Sequence, residues 1–314
     1  MMPWPIIPRC LSYFSTTTQA WEGLGCLRLA QKPTFTLASW NIDHFSPLRV
    51  ERAKFILDRV LEGPNTPDVV FFQEVHREAR TSILAHPKVR RAFFASDAED
   101  DAAFAGVTFA TMTLLSREGF VSGVDPHNTV DARAGHGVTP LHARVARVKL
   151  RSAYRRDALS VDVLTASPTQ GTFLRLVNVH LDSLADAWRN RARQMDLLTD
   201  YLREPGCAHG IIAGDFNAVV PQDETLVDQS RGLLDAWEEL HGAARPDGHT
   251  SGVGAELPVG KRLRPARRLD KVVMTGATPK NIQLLRPGSI RVSDRNISIP
   301  WSDHCGLECT FAIE

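Results

Sequence analysis

Apolar and polar residues follow two different periods near the start of the chain. The alternation in TFTLASW (34–40) predicts a half-buried strand. The pair Ser46-Pro47 is typical of a helix N-cap followed by proline at the first helical position. Apolar residues at helical spacing over 50–61 then predict a helix, and VVFF (69–72) predicts a core strand. A strand, a helix and a second strand are therefore expected in this order.

Short apolar runs bounded by loops continue through the rest of the chain. They predict a helix near 187–203 and strands at 107–115, 143–150, 172–180, 209–214, 270–274 and 304–312. In the last strand, Leu307, Cys309, Phe311 and Ile313 share one face. Because strands outnumber helices, this order favours an α+β sandwich over a regular alternation of strands and helices in a wound sheet.

Polar residues of a particular kind end many of these apolar runs. Each one alone is most often a turn or cap residue. In a sandwich, however, neighbouring strand ends can converge on one rim, so we expect these side chains to share a site. They are Asn41 and Asp43, Gln73 and Glu74, His180 with Asp182 and Ser183, Asp215 and Asn217, and Asp303 and His304.

These residue types match the chemistry of phosphoester hydrolysis. Carboxylate and amide oxygens suit a hard divalent ion such as Mg²⁺, which keeps water ligands and binds the substrate's phosphate. Histidines can neutralise or protonate phosphate oxygens, and an aspartate can activate or orient water. Asp215 and Asn217 in IIAGDFNAVV (211–220) illustrate the pattern, since strands disfavour both residue types. A phosphate and its attacking water would supply their partners.

Composition and charge limit the class of protein. The 314 residues are 43% hydrophobic and 23% charged, which is typical of a globular protein. A formal net charge of +1 argues against binding of nucleic acid by overall charge alone, so any polyanion contact must be local. The longest apolar-leaning run, 102–115, falls short of the roughly 20 residues that span a bilayer, so no membrane segment is predicted.

Cysteine usage and the N-terminal sequence bear on the compartment. The five cysteines lack the paired spacing of a zinc site or a disulfide framework, which favours a reducing compartment. The expected location is intracellular, in the nucleus or cytoplasm. Residues 1–30 lack the long apolar segment of a secretory signal. They contain Arg9, Arg28 and STTT with no acidic residue before Glu22, so a mitochondrial transit peptide is the alternative to a divergent N-terminal arm.

Two basic runs are candidates for contacts with a polyanion. KRLRPARR spans 261–268, and Arg189, Arg191 and Arg193 lie close together in sequence. Such runs are most often solvated loops. Beside a phosphodiesterase site, they can also follow a nucleic-acid backbone.

Six short motifs occur in an order typical of one superfamily. They are WNID (40–43), QEV (73–75), HLDS (180–183), GDFN (214–217), RLD (268–270) and SDH (302–304). Together they resemble the endonuclease/exonuclease/phosphatase superfamily over roughly residues 34–314. The resemblance implies a deoxyribonuclease I-like α+β fold, a four-layer αββα sandwich of two mainly antiparallel sheets. Residues 1–30 would be an N-terminal arm and 31–314 the domain.

Within the superfamily, the motifs most resemble the tyrosyl-DNA phosphodiesterase 2 branch. HLDS stands where exonuclease III-like enzymes carry a tyrosine-containing motif, and Arg191 and Gln194 have the spacing of the branch's RxxQ. The chain also departs from that branch at the residues expected to read the substrate. His44 stands where glycine is usual, Phe216 interrupts a GDTN-like motif, and no aromatic follows the threonine of HTSG (249–252).

The resemblance implies a metal site at one part of the expected rim. Glu74 looks like the principal magnesium ligand, and Asn41 beside it would bind the phosphate or a water on the metal. Asp303 would reach the metal through water. Magnesium is the implied cofactor, with manganese as the alternative.

The resemblance also implies roles around the scissile phosphate. Asp215 would orient or deprotonate the attacking water, and Asn217 would donate to the phosphoryl oxygens. His304 would stabilise the pentacovalent transition state, with Asp270 holding its imidazole in the required tautomer. His180 would contact the phosphate from the opposite side. Substrate contacts are implied for Arg191, Gln194, Asp43 and Ser183.

The sequence therefore predicts a magnesium-dependent phosphodiesterase that acts on DNA ends. The expected substrates are 5′ adducts such as phosphotyrosyl bonds, the expected partner is nucleic acid, and the expected state is a monomer. An apurinic endonuclease, a 3′ exonuclease and a hydrolase of small phosphoesters are alternatives within the same superfamily. A non-catalytic binding module is disfavoured, because it would have no need of the complete set of polar residues.

Overall fold

The computed structural model describes residues 6–25, 27–30, 32, 34–63, 66–122, 145–165, 172–227, 232–242, 246–253, 265–292 and 297–313. Within them, most strands belong to two mixed sheets. The helices are α1 (Arg49–Leu61), α2 (Arg77–Ala85), α3 (Pro87–Ala92), α4 (Trp188–Leu202) and α5 (Ala236–His241), with 3₁₀ turns at Ala102–Phe104, Ala185–Ala187, Pro221–Thr225 and Pro246–Gly248.

The strands follow the chain with a short N-terminal group first. They are β1 (Ile6–Arg9), β2 (Leu11–Ser15), β3 (Ala20–Gly23), β4 (Leu27–Leu29), β5 (Thr34–Asn41), β6 (Val69–His76), β7 (Phe93–Ser96), β8 (Phe109–Ser116), β9 (Phe120–Ser122), β10 (Val145–Lys149), β11 (Asp157–Leu164), β12 (Phe173–His180), β13 (Cys207–Asp215), β14 (Leu234–Asp235), β15 (Asp270–Thr275), β16 (Thr278–Leu285), β17 (Ser289–Val292), β18 (Ile297–Pro300) and β19 (Gly306–Ala312).

Two sheets of this set form the centre of the molecule. The larger sheet has the order β1-β10-β11-β12-β13-β15-β14, with β4 paired to β11 and β9 paired to β4. The other sheet has the order β16-β19-β5-β6-β8-β7-β2-β3. β17 and β18 form a separate two-stranded sheet. Most pairs are antiparallel, whereas β5 with β6, β12 with β13 and β4 with β11 are parallel.

Three hydrophobic clusters fill the spaces between adjacent layers. One lies between the sheets, where Leu37 and Phe71 of one sheet belong to the same cluster as Leu176 and Ile211 of the other. A second cluster joins the outer face of the β5–β6 sheet to helices α1, α2 and α3, and a third joins the β12–β13 sheet to α4. The α+β prediction of a four-layer αββα sandwich is therefore confirmed.

The N-terminal segment is part of both sheets. β1 pairs with β10 and β4 with β11 in one sheet, while β2 pairs with β7 in the other. Leu11 and Leu27 are buried in the cluster between the sheets. The described part of the predicted arm, within residues 1–30, thus contributes to the same core as the rest of the chain.

Helix α1 begins later than the Ser46-Pro47 pattern predicts. Its N-cap is Leu48, which has a left-handed backbone (φ 56°) and makes no capping hydrogen bond with its side chain. The amide of Ser46 instead donates to Asp43 Oδ1 (3.1 Å). The buried guanidinium of Arg52 donates to the carbonyl oxygens of Ser46 (3.0 Å) and Pro47 (2.8 Å). The N-cap prediction is wrong because these contacts hold Ser46 and Pro47 in the preceding loop.

The register of the central strands explains why their ends meet. Asn41 is opposite Gln73 in the β5–β6 pair, and His180 is opposite Asp215 in the β12–β13 pair. Asp215 is also opposite Asp270 of β15. Because both pairs are parallel, the C-terminal ends within each pair lie side by side. The hydrogen bond from Asn41 to Asp215 (3.0 Å) shows that the two pairs end on the same rim of the sandwich. No helix among the described residues is long and apolar enough to cross a membrane.

Candidate active site

The converging strand ends surround a cavity of about 1020 Å³. Its wall includes Glu74, which lies one residue beyond the part of β6 that pairs with β5. It also includes His180 and Asp215 at the ends of β12 and β13, and His304 just before β19. Asn41 lies beneath this wall and is almost completely buried. The structure therefore brings together polar residues from distant parts of the sequence.

Asn41 links two of the acidic residues of the site. Its side-chain amide nitrogen donates to Glu74 Oε1 (3.2 Å) and to Asp215 Oδ2 (3.0 Å). Its amide oxygen accepts a hydrogen bond from the backbone N–H of Asp43 (3.0 Å). Because its amide nitrogen and amide oxygen are both hydrogen-bonded, the side chain fixes the position of the Glu74 carboxylate relative to that of Asp215.

Glu74 points into the cavity because β6 is irregular at this position. The pairing of β6 with β8 shifts between Phe72 and Val75, and Glu74 has a φ of 57°. A bulge of this kind redirects a side chain, and the left-handed backbone of a non-glycine residue is a strained conformation typical of functional sites. Glu74 Oε2 also accepts from the backbone N–H of His44 (3.0 Å). Burial raises the pKa of the Glu74 carboxyl, although these hydrogen bonds oppose the shift.

Asp215 is held by the turn that follows β13. Its Oδ1 accepts from the backbone N–H of Asn217 (2.8 Å), and Asn217 has a φ of 49°. Burial raises the pKa of Asp215 to about 7, while the positive charge of His304 opposes the shift. A carboxyl group with a pKa near neutrality can accept a proton from water, which suits a general base.

His304 and Asp270 form a buried pair beside Asp215. His304 Nδ1 lies 2.7 Å from Asp270 Oδ2, so the imidazole donates from Nδ1 and directs Nε2 toward the cavity. Burial lowers the pKa of His304, but the negative charges of Asp270 and Asp215 outweigh that effect and raise it well above its ordinary value. Nε2 lies 3.9 Å from both Asp215 Oδ2 and Asp303 Oδ1. His304 is therefore a cationic donor.

His180 also lies beside Asp215 but has the opposite electrostatic character to His304. Its Nε2 is 3.5 Å from Asp215 Oδ2 and 3.9 Å from Glu74 Oε1. Burial and the positive charge of Arg156 lower its pKa well below the ordinary value. The ring of Phe109 stacks nearby, with ring centroids 5.7 Å apart. The site thus combines a neutral and a charged histidine.

Two groups of side chains offer oxygen or nitrogen atoms to a divalent metal ion. Asp215, Asp270 and His304 have possible ligand atoms within 4.8 Å of one another. In that group, however, His304 Nδ1 is already bonded to Asp270 Oδ2, and the raised pKa of His304 favours the protonated imidazole, which has no nitrogen lone pair to offer a metal. Glu74 presents a buried carboxylate to the cavity, with the amide of Asn41 beside it. This oxygen-rich set fits a hard divalent ion, so Glu74 is the better ligand.

Arg156 is a cation of the site that the sequence analysis missed. Its Nη2 donates to Ser183 Oγ (3.1 Å), and its guanidinium lies over the Phe109 ring at 4.8 Å from the centroid. Burial lowers its pKa, whereas the charges of Glu74, Asp215 and Asp182 counteract the shift. Arg156 lines the cavity on the side of these carboxylates. Its position suits a contact with phosphate oxygens.

The profile of the "Endonuclease/Exonuclease/phosphatase family" matches residues 38–304. The chain belongs to that family. It is accordingly a metal-dependent phosphodiesterase or nuclease, a hydrolase of ester bonds. The converging residues Asn41, Glu74, Asp215, Asp270 and His304 all lie inside the matched segment.

Solved structures of the endonuclease/exonuclease/phosphatase family share the fold at low sequence identity. A humanised TDP2 of D. rerio with 14 mutations is 20% identical, with a TM-score of 0.60 over 89% of this chain and 99% of that chain. D. rerio TDP2 complexed with a single-strand DNA product is 19% identical, with a TM-score of 0.61 and the same coverage. A family protein of Bacteroides vulgatus is 15% identical, with a TM-score of 0.57 over 90% of this chain and all (100%) of that chain. No curated protein matches the chain at a significant level.

Arg191 and Gln194, expected to contact substrate, lie beneath the site instead. Both are completely buried on α4. Arg191 forms two hydrogen bonds with Asp223 (2.8 and 2.7 Å) and donates to the carbonyl oxygen of Asp182 (2.9 Å). Gln194 Nε2 donates to Asp182 Oδ1 (2.9 Å). Neither side chain lines the cavity, so the predicted substrate contact stays a prediction while the structure shows both residues supporting the turn beside the site.

Through Asp182, these two residues position the loop that carries Arg156. Asp182 accepts hydrogen bonds from the Ser152 hydroxyl and from the backbone N–H of Ala153 (2.9 Å). The loop between β10 and β11 is thereby held against the HLDS turn. Ser183 in that turn lines the cavity and accepts a hydrogen bond from Arg156 Nη2.

The remaining predicted residues occupy different positions around the rim. Asn217 lines the cavity, and its Nδ2 donates to the carbonyl oxygen of Leu181 (3.0 Å). Asp43 also lines it, but its Oδ1 accepts from the backbone N–H groups of Phe45 and Ser46, so it mainly shapes the loop. Asp303 is half exposed at the cavity edge, where a solvated carboxylate can interact through water.

The described arginines of the two basic runs have different surroundings. Positions 261–264 lie outside the described residues, Arg267 lines the cavity, and Arg268 is paired with Asp235 (2.6 Å). Arg191 is buried, while Arg189 stacks on Trp188 at 5.1 Å. Of the arginines just named, Arg267 alone is placed to meet a substrate in the cavity.

Proposed function

We propose that the chain is a magnesium-dependent phosphodiesterase that hydrolyses adducts at DNA ends, including 5′-phosphotyrosyl bonds. The observation that carries the proposal is the convergence of Glu74, Asp215 and the His304–Asp270 pair on one cavity. These groups supply a metal ligand, a base and a cationic donor. Three functions needed for phosphodiester hydrolysis are thus combined within a single wall.

The roles of the residues follow from their charges and hydrogen bonds. Asp215, with a pKa of about 7, accepts the proton of the attacking water while Asn41 fixes one of its oxygens. His304 donates from Nε2 to a phosphoryl oxygen, and Asp270 keeps that imidazole in the donating tautomer. His180 is neutral because its pKa is lowered, so it adds no second positive charge beside Asp215. Preorganised donors of this kind stabilise the developing charge by several kcal/mol.

Glu74, with Asn41 and Asp303 nearby, would hold the magnesium ion. When bound, the ion polarises the phosphoryl oxygen and neutralises charge on the leaving group. Arg156 and Asn217 add donors on the side of the Ser183 turn, where they orient the phosphate. The chain therefore supplies complementary charges on both sides of the scissile bond.

The apolar part of the rim supports a substrate with exposed bases or an aromatic leaving group. Phe45 is 74% exposed and Leu184 is 61% exposed, and both line the cavity. The rings of Phe45 and Phe109 flank His44, with centroids 3.9 and 4.4 Å from its ring. Unstacked bases and phenol rings stack on such surfaces. The D. rerio TDP2 structure complexed with a single-strand DNA product supports the same class of ligand.

Single-turnover cleavage tests the substrate assignment. A 5′-phosphotyrosyl single-stranded DNA and a duplex with an abasic site are compared at equal enzyme and magnesium concentrations. We expect metal-dependent release of a 5′-phosphate end from the first substrate. Cleavage of the abasic duplex alone would assign an apurinic-endonuclease activity instead of hydrolysis of DNA-end adducts. Inactivity toward both substrates would exclude the proposed hydrolysis of 5′ adducts.

A further inference from the structure

A second cavity lies at the far end of the sandwich from the active site. Its volume is about 690 Å³, and its wall includes the C-terminal part of β2 with the two residues after it, the segment around α3 and the residue after β8. β8 runs from Phe109 at the active-site cavity to Ser116 near the second cavity. With about 3.3 Å per strand residue, the two cavities are separated by roughly 23 Å along this strand.

The second cavity is lined by three arginines from two parts of the chain. Arg90 and Arg91 lie in the last turn of α3, and Arg117 follows β8. Among the described residues, none of the three forms an ion pair, whereas Arg147, Arg175 and other buried arginines are paired with carboxylates. Arg117 Nε is buried and has no hydrogen-bond partner within the same residues. Positive charge therefore accumulates here without the compensation found elsewhere.

Aromatic residues hold two of these guanidinium groups in place. Arg90 lies over the Phe14 ring at 4.4 Å from the centroid, and Arg117 lies over Tyr13 at 5.7 Å. Arg117 Nη2 also donates weakly to the carbonyl oxygen of Phe14 (3.4 Å), and Arg90 Nε donates to that of Leu84 (3.1 Å). Stacking fixes the planes of the guanidinium groups while leaving further N–H groups to donate.

We infer that this arginine cavity, formed by Arg90, Arg91, Arg117 and the Tyr13–Thr17 segment, binds a small phosphate-bearing anion. Guanidinium groups from two parts of the chain suit a tetrahedral oxyanion, which accepts hydrogen bonds from several directions. Ser15, Thr16 and Thr17 add hydroxyl groups to the same wall. Phe14 is buried and covered by Arg90, so the cavity recognises phosphate oxygens and not a stacked base.

Chemical labelling of arginines tests this site in the whole protein. Phenylglyoxal modification is followed by peptide mass spectrometry, with and without pyrophosphate as the probe. We expect pyrophosphate to slow labelling of Arg90 and Arg117 by about tenfold at saturation, in line with the strength of charge-assisted hydrogen bonds. The exposed Arg59 on α1 serves as the internal control and keeps its labelling rate.

Variants separate this site from the active site. Arg91→Gln changes an exposed side chain, so it leaves the fold intact and should weaken the pyrophosphate protection of Arg90 and Arg117 several-fold. Glu74→Gln should leave that protection unchanged. Equal labelling of Arg90 and Arg117 with and without pyrophosphate would overturn the inference, as would protection that disappears in Glu74→Gln but persists in Arg91→Gln.

A single-stranded oligonucleotide is the second probe. Weak protection by the oligonucleotide, compared at equal phosphate concentration, is expected for a site that takes a small anion. Stronger protection by the oligonucleotide than by pyrophosphate would assign the phosphate to a nucleic-acid backbone and overturn the small-anion assignment.

Discussion

The two cavities at opposite ends of the sandwich differ in their balance of charge. At the catalytic end, Glu74, Asp215 and Asp270 face His304 and Arg156, so groups of both signs lie within a few ångströms. At the other end, Arg90, Arg91 and Arg117 have no ion-pair partner among the described residues. Mixed charges can move protons and stabilise a changing charge distribution. Charge of one sign suits binding of an anion without chemistry.

The largest expected effect concerns the base of the catalytic end. Asp215→Asn keeps the hydrogen bond from Asn217 but removes the proton acceptor, so we expect the single-turnover rate to fall by about 10² or more. Asp200→Asn, an exposed change on α4, is the matched control and should retain the parental rate. A folded Asp215→Asn enzyme with parental turnover would remove Asp215 from the mechanism.

A smaller effect is expected for the cation of the same cavity. Arg156→Gln removes the guanidinium that bonds to Ser183, and we expect kcat/KM to fall by about tenfold because one charge-assisted phosphate contact is lost. Arg151→Gln, an exposed change in the same loop, should have no such effect. Equal kcat/KM values for the two variants would show that Arg156 supports only the loop.

The smallest effect on the single-turnover rate is expected for changes in the arginine cavity at the far end of the sandwich. The double variant Arg90→Gln/Arg117→Gln should change the single-turnover rate by less than about twofold, because distant sites act independently. Circular dichroism and a thermal melt establish that the variant is folded before its rate is compared. A folded variant with a strongly reduced rate would contradict the separation of the two ends.

The strand ends of the catalytic site could be predicted because each carries a local signal. An apolar run followed by Asn41, Glu74, His180 or Asp215 is visible in the sequence, and the fold then brings these ends together. The motif order predicted the family and its sandwich. Each strand end and each motif can be recognised from a few neighbouring residues, so neither prediction needs knowledge of contacts between distant residues.

Features that depend on distant partners could not be predicted in the same way. Arg191 has the spacing of a substrate-binding arginine, but its burial depends on Asp223, which lies in a 3₁₀ turn far along the chain. Arg156 carries no motif and reaches the site because Asp182 fixes its loop. The strands of the N-terminal segment are short, and β1 pairs with β10, which is distant from it in the sequence.

The dependence of the single-turnover rate on magnesium concentration tests whether Glu74 holds a catalytic metal ion. It is measured with 5′-phosphotyrosyl single-stranded DNA for the parent enzyme, Glu74→Gln and the exposed control Glu51→Gln. We predict that the parent and the control respond to magnesium alike, whereas Glu74→Gln needs about tenfold more magnesium or fails to reach the parental rate. Cleavage that persists after chelation of metal, or identical magnesium dependence in all three proteins, would contradict the account.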